Sequence, residues 1–438
     1  MPAQDDSLYL TMAILNILCY RQAPDRPERK GWHLFIDQLC HMCDHESDAK
    51  SVCCNAGVKK EGALVLLFAT RAKDPDESVQ HLQWLLSVLR PVSGMSSDRR
   101  LKLLREIQDK CLARSTERIS NYKDNLRKRI SRTSEVTPAD PELTDDLSTC
   151  LDQKQTNTEL CQWAYDFKET ALGQRLSSHC AQSVHAQPWL EVQHYIGRLR
   201  SWHRAARILV NLSARLGNLL NDITVALIPL PTLPLGKGSR KDPPASPPDL
   251  GSTLEMICQG LSVEQVKQKL RQALTEHKES EQKLDLESLI NKIFKRRATT
   301  YDVHPEVAMA DYIQRHGLRF LDRYRYIGCS KPSCYCCSLY LREHPLRLAT
   351  RPSHNRVWMR WCYPLCPEDQ NEDERRRWDI QRLRFGRKMA AETKRCLLRE
   401  GRARGWLRDS TTGRTVGSTL LEGLLLTELG DLRINAER

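Results

Sequence analysis

The segments VHPEVAMADYI, over residues 303–313, and YIGCSKPSCYCCSLYL, over residues 326–341, carry the strongest structural signals in the chain. In the first segment, Pro305 favours the first turn of a helix, where a backbone N–H is not needed. Gly317 follows at a distance typical of a helix C-terminus. The first segment therefore predicts a short helix that begins directly after residue 304.

The second segment predicts a strand that leads into another helix. Residues from Phe320 to Cys329 are rich in strand-forming side chains. Ser333 is suited to cap a helix that begins at Cys334 and ends before Pro345. The order along the chain is therefore helix, strand, helix.

Four side chains in these elements suggest a catalytic metal site. Cys334 and Cys337 lie one helical turn apart at a helix N-terminus, which favours the thiolate form. With His304 they make three ligands, and the fourth tetrahedral position is left for water. Glu306 is placed to exchange a proton with that water. We therefore predict Zn²⁺ as cofactor; the alternative is a core histidine with core thiols.

The order of H-x-E, a strand and C-x-x-C resembles the cytidine-deaminase-like superfamily. The two segments, with RPSHNRVWMRWCYP after them, are more closely similar to the fungal nucleic-acid/nucleotide-deaminase-like family, over roughly residues 255–366. This resemblance implies a three-layer α/β/α fold around a mixed sheet. It also implies that His304, Cys334 and Cys337 are zinc ligands and that Glu306 is the catalytic proton shuttle.

Two features depart from the superfamily pattern. Ser333 stands between Pro332 and Cys334, where the superfamily usually has proline directly before the first cysteine. Two strands normally precede the H-x-E helix, yet residues 254–300 predict helices. Those strands are either short and weakly marked or displaced along the chain, so the order of the sheet stays open.

Hydrophobic periodicity and composition divide the chain into four parts. Residues 1–229 show helical spacing and predict an all-α region, including the segment 62–72. Residues 230–252 are rich in proline and glycine and predict a linker. We place the deaminase-like domain at 253–368 and an Arg-rich helical tail at 369–438. The predicted class is α+β or α/β.

The clearest helical pattern within the first part is an apolar stripe between Trp189 and Leu220. Such a stripe can bind a partner protein, but burial against neighbouring helices is the favoured interpretation.

Composition bears on partners and compartment. The 438 residues carry a net charge of +13, which favours contact with polyanions. The apolar run Leu8–Tyr20 is shorter than the roughly 20 residues of a membrane-spanning helix. The odd count of seventeen scattered cysteines is typical of a reducing compartment. The N-terminus is acidic, whereas a secretory signal needs positive charge there. We predict an intracellular protein, cytoplasmic or nuclear, with no membrane partner; protein partners stay undetermined.

Other cysteines receive secondary interpretations. Cys40 and Cys43 can form a second zinc site with nearby histidines, but buried free thiols are favoured. Packing roles are predicted for the remaining cysteines around the main site, with a structural metal ligand as the alternative for the last two: Cys329, Cys336, Cys362 and Cys366.

The segment after the cysteine helix is polar and aromatic. His354, Asn355, Arg356 and Trp361 can contact substrate, because bases stack on aromatic rings and phosphates pair with arginine. The equally weighted alternative is a strand edge with Trp358 and Trp361 in the core.

These observations predict a zinc-dependent hydrolytic deaminase-like protein that acts on a nucleobase in a nucleotide or nucleic acid, with single-stranded nucleic acid as one candidate substrate. The alternative is a catalytically silent, zinc-stabilised binding module for RNA or protein. Glu306 favours the enzyme, because a structural site needs no unligated carboxylate.

Overall fold

The computed structural model describes residues 2–18, 31–47, 51–136, 140–182, 186–230, 251, 254–255, 262–277, 286, 288, 303–364 and 371–398. These residues divide into two compact units. The helical unit comprises the described residues of Glu28–Leu227 and Gly328–Lys331. The site unit comprises those of Met1–Pro27, Ile228–Ile327 and Pro332–Ser410.

The described helices, in chain order, are α1 (Pro2–Ile17), α2 (Gly31–Cys43), α3 (Pro75–Leu89), α4 (Ser97–Arg114), α5 (Thr116–Val136), α6 (Pro141–Asp152), α7 (Asn157–Asp166), α8 (Ala171–Gln182), α9 (Ala186–Leu199), α10 (Ser201–Leu216), α11 (Val263–His277), α12 (Pro305–Arg315), α13 (Tyr335–Glu343) and α14 (Glu372–Leu398). The described strands are β1 (Cys53–Lys60), β2 (Ala63–Thr70), β3 (Thr224–Leu227), β4 (Arg319–Phe320), β5 (Tyr326–Cys329) and β6 (Ala349–Thr350).

Local capping explains where several helices begin. Asp74 accepts a hydrogen bond from the Glu77 backbone N–H at 2.9 Å, directly before the proline that opens α3. Thr156 and Glu159 form a reciprocal capping box at the start of α7. Such caps satisfy backbone N–H groups that have no acceptor inside the helix.

The apolar stripe of α9 and α10 is buried within the helical unit. α10 packs against α2 and α4, and Trp202 and Leu209 are fully enclosed. The burial interpretation of the stripe is therefore confirmed.

A β-hairpin also lies in the helical unit, where the sequence predicted helices alone. β1 and β2 pair antiparallel along their whole lengths, and β3 runs parallel to β2. Glu61 and Gly62 form the two-residue turn between β1 and β2. Their φ angles are 51° and 84°, and this type of hairpin turn requires a left-handed backbone at both residues. The helical prediction for residues 62–72 is wrong because β2 is a continuous apolar run, which periodicity does not distinguish from a buried helix.

The last two residues of β5 belong to the helical unit. Cys329 lies opposite Cys54 on β1, and Gly328 lies opposite Asn55. A side chain at Gly328 would meet Ile36, because an added Cβ atom would lie only 2.7 Å from Ile36 Cγ1. Glycine is therefore required by the close approach of α2 to this strand.

In the site unit, the first two residues of β5 pair parallel with β6, and α13 contacts α12, β6 and α14. Trp361 stacks on Phe385 of α14 with ring centroids 5.2 Å apart. Tyr340 of α13 meets Tyr363 edge-on at 5.3 Å. These aromatic rings form a core beneath the cysteine helix.

The α+β class with a helical N-terminal region and a mixed sheet is confirmed, since the six described strands pair both parallel and antiparallel. The linker predicted at 230–252 falls almost wholly outside the described residues, and the four predicted domain ranges stay predictions. No described helix combines the length and apolar character needed to cross a membrane.

Candidate metal centre

His304 stands directly before α12, with the extended backbone of an N-cap residue. Its carbonyl accepts hydrogen bonds from the N–H groups of Val307 and Ala308, both at 3.0 Å. Pro305 occupies the first turn, as predicted, and Gly317 follows the helix with a left-handed φ of 59°. This short helix therefore fixes the backbone from which the imidazole projects.

Cys334 is the N-cap of α13, and its Sγ accepts a hydrogen bond from the backbone N–H of Cys337 at 3.4 Å. The prediction that Ser333 caps this helix is wrong by one residue. The sulfur takes the role expected of the serine hydroxyl, and the helix begins at Tyr335. Consequently, both cysteine sulfurs lie at the N-terminal end of the helix, where the partial positive charge stabilises thiolates.

The three predicted ligands converge. His304 Nδ1 lies 3.6 Å from Cys334 Sγ and 3.2 Å from Cys337 Sγ. All three atoms lie within 4.8 Å of one another. Tetrahedral zinc, with bonds of about 2.0 Å to nitrogen and 2.3 Å to sulfur, places such atoms about 3.5 Å apart. The group therefore has the donor set and spacing to hold a metal ion.

The two thiols differ in acidity. Burial opposes ionisation of Cys334, yet hydrogen bonds from Cys336 and Cys337 and the nearby His304 ring hold its pKa well below the ordinary value. Burial and the adjacent Cys334 charge raise the pKa of Cys337. The Cys334 thiol therefore ionises more readily than the Cys337 thiol. A cation between the two sulfurs would stabilise the thiolate form of both.

Glu306 lies in the first turn of α12 and is only 3% exposed. Burial raises the pKa of its carboxyl group, against the opposing effect of the His304 ring. Its Oε2 atom is buried, and no other described residue hydrogen-bonds to it. An orphaned carboxylate oxygen beside three potential ligands fits a bound metal and its water better than a closed structural site.

The polar and aromatic segment that follows α13 is divided between core and surface. Trp361 is fully buried against Phe385, so the core interpretation holds for this residue. Trp358 is 37% exposed, and the core interpretation is wrong for it. His354 is buried and contacts Trp358 edge-on, with ring centroids 6.4 Å apart.

The remaining cysteines do not join the group around His304. Cys40 and Cys43 are buried free thiols, and burial raises the pKa of both. Within the described ranges, neither belongs to a group of three potential metal ligands. Cys336 and Cys362 are buried, Cys329 Sγ lies 3.4 Å from Cys54 Sγ, and Cys366 falls outside the described residues.

A protein-family model described as an OTT_1508-like deaminase matches residues 303–365. The matched segment carries α12, α13 and the four residues His304, Glu306, Cys334 and Cys337. No curated protein and no solved structure matches the chain. This match supports a deaminase-like domain; the fungal family and the superfamily named from the sequence stay predictions.

Proposed function

We propose that the chain is a zinc-dependent hydrolytic deaminase that acts on a nucleobase within a nucleotide or nucleic acid. The observation that carries the proposal is the convergence of His304, Cys334 and Cys337 beside a buried Glu306. All four lie within the segment that resembles a deaminase. In this proposal Glu306 is the catalytic residue.

The donor set fits zinc, because one imidazole and two thiolates are ligands of catalytic zinc sites with an open fourth position. When bound, zinc supplies Lewis acidity, which lowers the pKa of a coordinated water molecule towards neutral pH. Cys334 and Cys337 would hold the ion from the N-terminus of α13, together with His304, whose Nδ1 lies 3.6 Å and 3.2 Å from the two sulfurs.

Glu306 moves the protons of the reaction. Its carboxylate takes one proton from the attacking water and gives it to the ring nitrogen, and then takes the remaining proton from the same oxygen and gives it to the departing amine. Water and the amino-bearing ring are thereby converted to a carbonyl and ammonia. Burial raises the pKa of this carboxyl group, which makes its carboxylate a stronger proton acceptor than an exposed one.

Charge supports a phosphate-bearing substrate. Residues 303–365 contain ten lysines and arginines against four aspartates and glutamates. Polyanionic substrates are attracted by such an excess of positive charge.

The test uses the purified full chain with zinc stoichiometry and ammonia release measured on cytidine, adenosine, single-stranded DNA and RNA. Wild type is expected to hold about one zinc per chain and to release ammonia from at least one substrate. Glu306→Gln is expected to keep zinc and lose roughly 10²- to 10⁴-fold in rate. Glu343→Gln, which removes the same charge from the end of α13, is the matched control and should keep the rate.

A zinc-loaded wild type as silent as Glu306→Gln on every substrate would overturn the enzyme proposal. That result would favour the zinc-stabilised binding module for RNA or protein instead.

A further inference from the structure

The two neighbours of Cys334 in the chain, Ser333 and Tyr335, form hydrogen bonds with a segment that follows α13. The Ser333 carbonyl accepts hydrogen bonds from the backbone N–H of His354, at 3.1 Å, and from Ser353 Oγ, at 2.9 Å. The Tyr335 backbone N–H donates to the carbonyl of Arg356 at 2.9 Å. We call residues 351–356 the clamp segment, because its hydrogen bonds flank the first cysteine ligand.

The clamp segment has internal order of its own. Ser353 Oγ accepts a hydrogen bond from the Asn355 N–H at 2.9 Å, and His354 Nδ1 accepts one from the Arg356 N–H at 3.0 Å. Asn355 adopts a left-handed φ of 59°, which asparagine tolerates better than most residues. The Ser353 hydroxyl therefore acts twice, as donor to the Ser333 carbonyl and as acceptor within the turn.

The loop that carries Cys334 depends on these contacts for its position. Ser333 lies between β5 and α13, outside either element, and it is fully buried. Its conformation is therefore not fixed by a ladder of helix or strand hydrogen bonds. A shift of its carbonyl would move the adjacent Cys334 relative to His304, which projects from a different helix. Metal ligands are commonly oriented by such outer contacts, whose loss typically costs 10- to 100-fold in metal affinity.

We propose that Ser353 is a positioning residue for the metal centre, acting through the Ser333 carbonyl to hold Cys334 Sγ where His304 and Cys337 converge. The inference rests on the metal centre of the proposed function, and not on its deaminase activity. A purely structural role for Ser353 would change the stability of the fold without changing metal affinity.

The experiment measures Co²⁺ binding to the metal-free full chain by visible absorption, because tetrahedral cobalt with thiolate ligands has a characteristic spectrum. Ser353→Ala is expected to weaken Co²⁺ affinity by roughly tenfold or more and to alter the spectrum. Ser353→Thr, which keeps the hydroxyl, should bind as wild type does. Ser353→Val matches threonine in shape and lacks the hydroxyl, so it should behave as the alanine variant.

Ser262→Ala serves as the control, because Ser262 Oγ accepts a local hydrogen bond from the Gln265 N–H at 3.2 Å, as Ser353 Oγ does from Asn355, but at the exposed start of α11. Thermal unfolding of the metal-free proteins is measured in parallel. Equal Co²⁺ affinity in Ser353→Thr and Ser353→Val would overturn the positioning role, and so would equal affinity in Ser353→Ala and wild type. Absence of Co²⁺ binding in folded wild type would instead overturn the metal centre itself.

Discussion

Cys334 and Cys337 cannot both ionise easily unless a cation lies between them. Burial raises the pKa of both thiols, but hydrogen bonds and His304 lower the pKa of Cys334 overall, whereas the charge of Cys334 raises the pKa of Cys337 further. Binding of a divalent metal removes this conflict, since both thiolates then face a positive charge. The residues around the site thus favour metal binding through their electrostatics as well as their spacing.

Removal of either sulfur should abolish stable metal binding, whereas removal of a nearby buried sulfur should not. We expect Cys337→Ala to lose most of its zinc, because two protein ligands hold zinc far less tightly than three. Cys362→Ala is the matched control, since Cys362 is buried in the same unit and lies outside the ligand group. Zinc content after gel filtration measures both. Loss of zinc from Cys362→Ala alone would contradict this assignment.

The positions of individual side chains were predicted unevenly. His304, Glu306, Cys334 and Cys337 could be placed together from sequence, because their spacing at two helix starts limits where the side chains project. The role of Ser353 could not be foreseen, because its hydrogen-bond acceptor is a backbone carbonyl that any residue at position 333 would supply. A hydrogen bond to a backbone atom does not restrict the residue type that supplies this atom, so the sequence does not reveal the contact.

Among the secondary-structure elements, the helices of the site were predictable and the hairpin was not. α12 carries its own signals in Pro305 and Gly317, so its limits followed from local chemistry. β1 and β2 lack regular alternation, because six consecutive residues of each strand are buried. Strands enclosed in this way do not alternate apolar and polar residues, so only their pairing in the folded chain identifies them.

The hairpin turn provides a test of this assignment. We expect Gly62→Ala to lower the free energy of unfolding by about 1–2 kcal/mol, because Gly62 has a φ of 84° and an L-residue is strained there. Gly94→Ala is the matched control: an added methyl group has open space at both positions, but the backbone of Gly94 is not left-handed. Chemical denaturation of both variants gives the comparison. Equal stability of the two would contradict the turn conformation at Gly62.

Across the protein as a whole, several histidines are buried and kept neutral. Burial lowers the pKa of His81 to about 3, with Arg114 and Lys110 acting in the same direction. Burial also lowers the pKa of His203 and of His344 to about 4. His81 and His203 lie in the helical unit and His344 in the site unit, so both units contain groups that bind protons only on unfolding.

These histidines predict a loss of stability in mild acid. An unfolded histidine binds a proton below about pH 6.5, whereas the folded groups stay neutral until the pH approaches their lowered pKa values. The unfolded state therefore gains protons on these histidines first as the pH falls, and their contribution to the free energy of unfolding declines from about pH 6.5 downwards. Between pH 7.5 and 5.0, one such group contributes a loss of about 2 kcal/mol.

His81→Gln should reduce this pH dependence, whatever it does to stability at neutral pH. The difference in unfolding free energy between pH 7.5 and 5.0, measured on the metal-free protein, should be smaller by about 2 kcal/mol than in wild type. The carboxyl group of Asp44, whose pKa is lowered by Arg118 and Lys331 against the opposing effect of burial, does not interfere, because an aspartate with a lowered pKa titrates in stronger acid. His203→Gln provides an independent repeat at another buried position. Identical pH dependence in wild type and both variants would show that these rings are protonated in the folded protein.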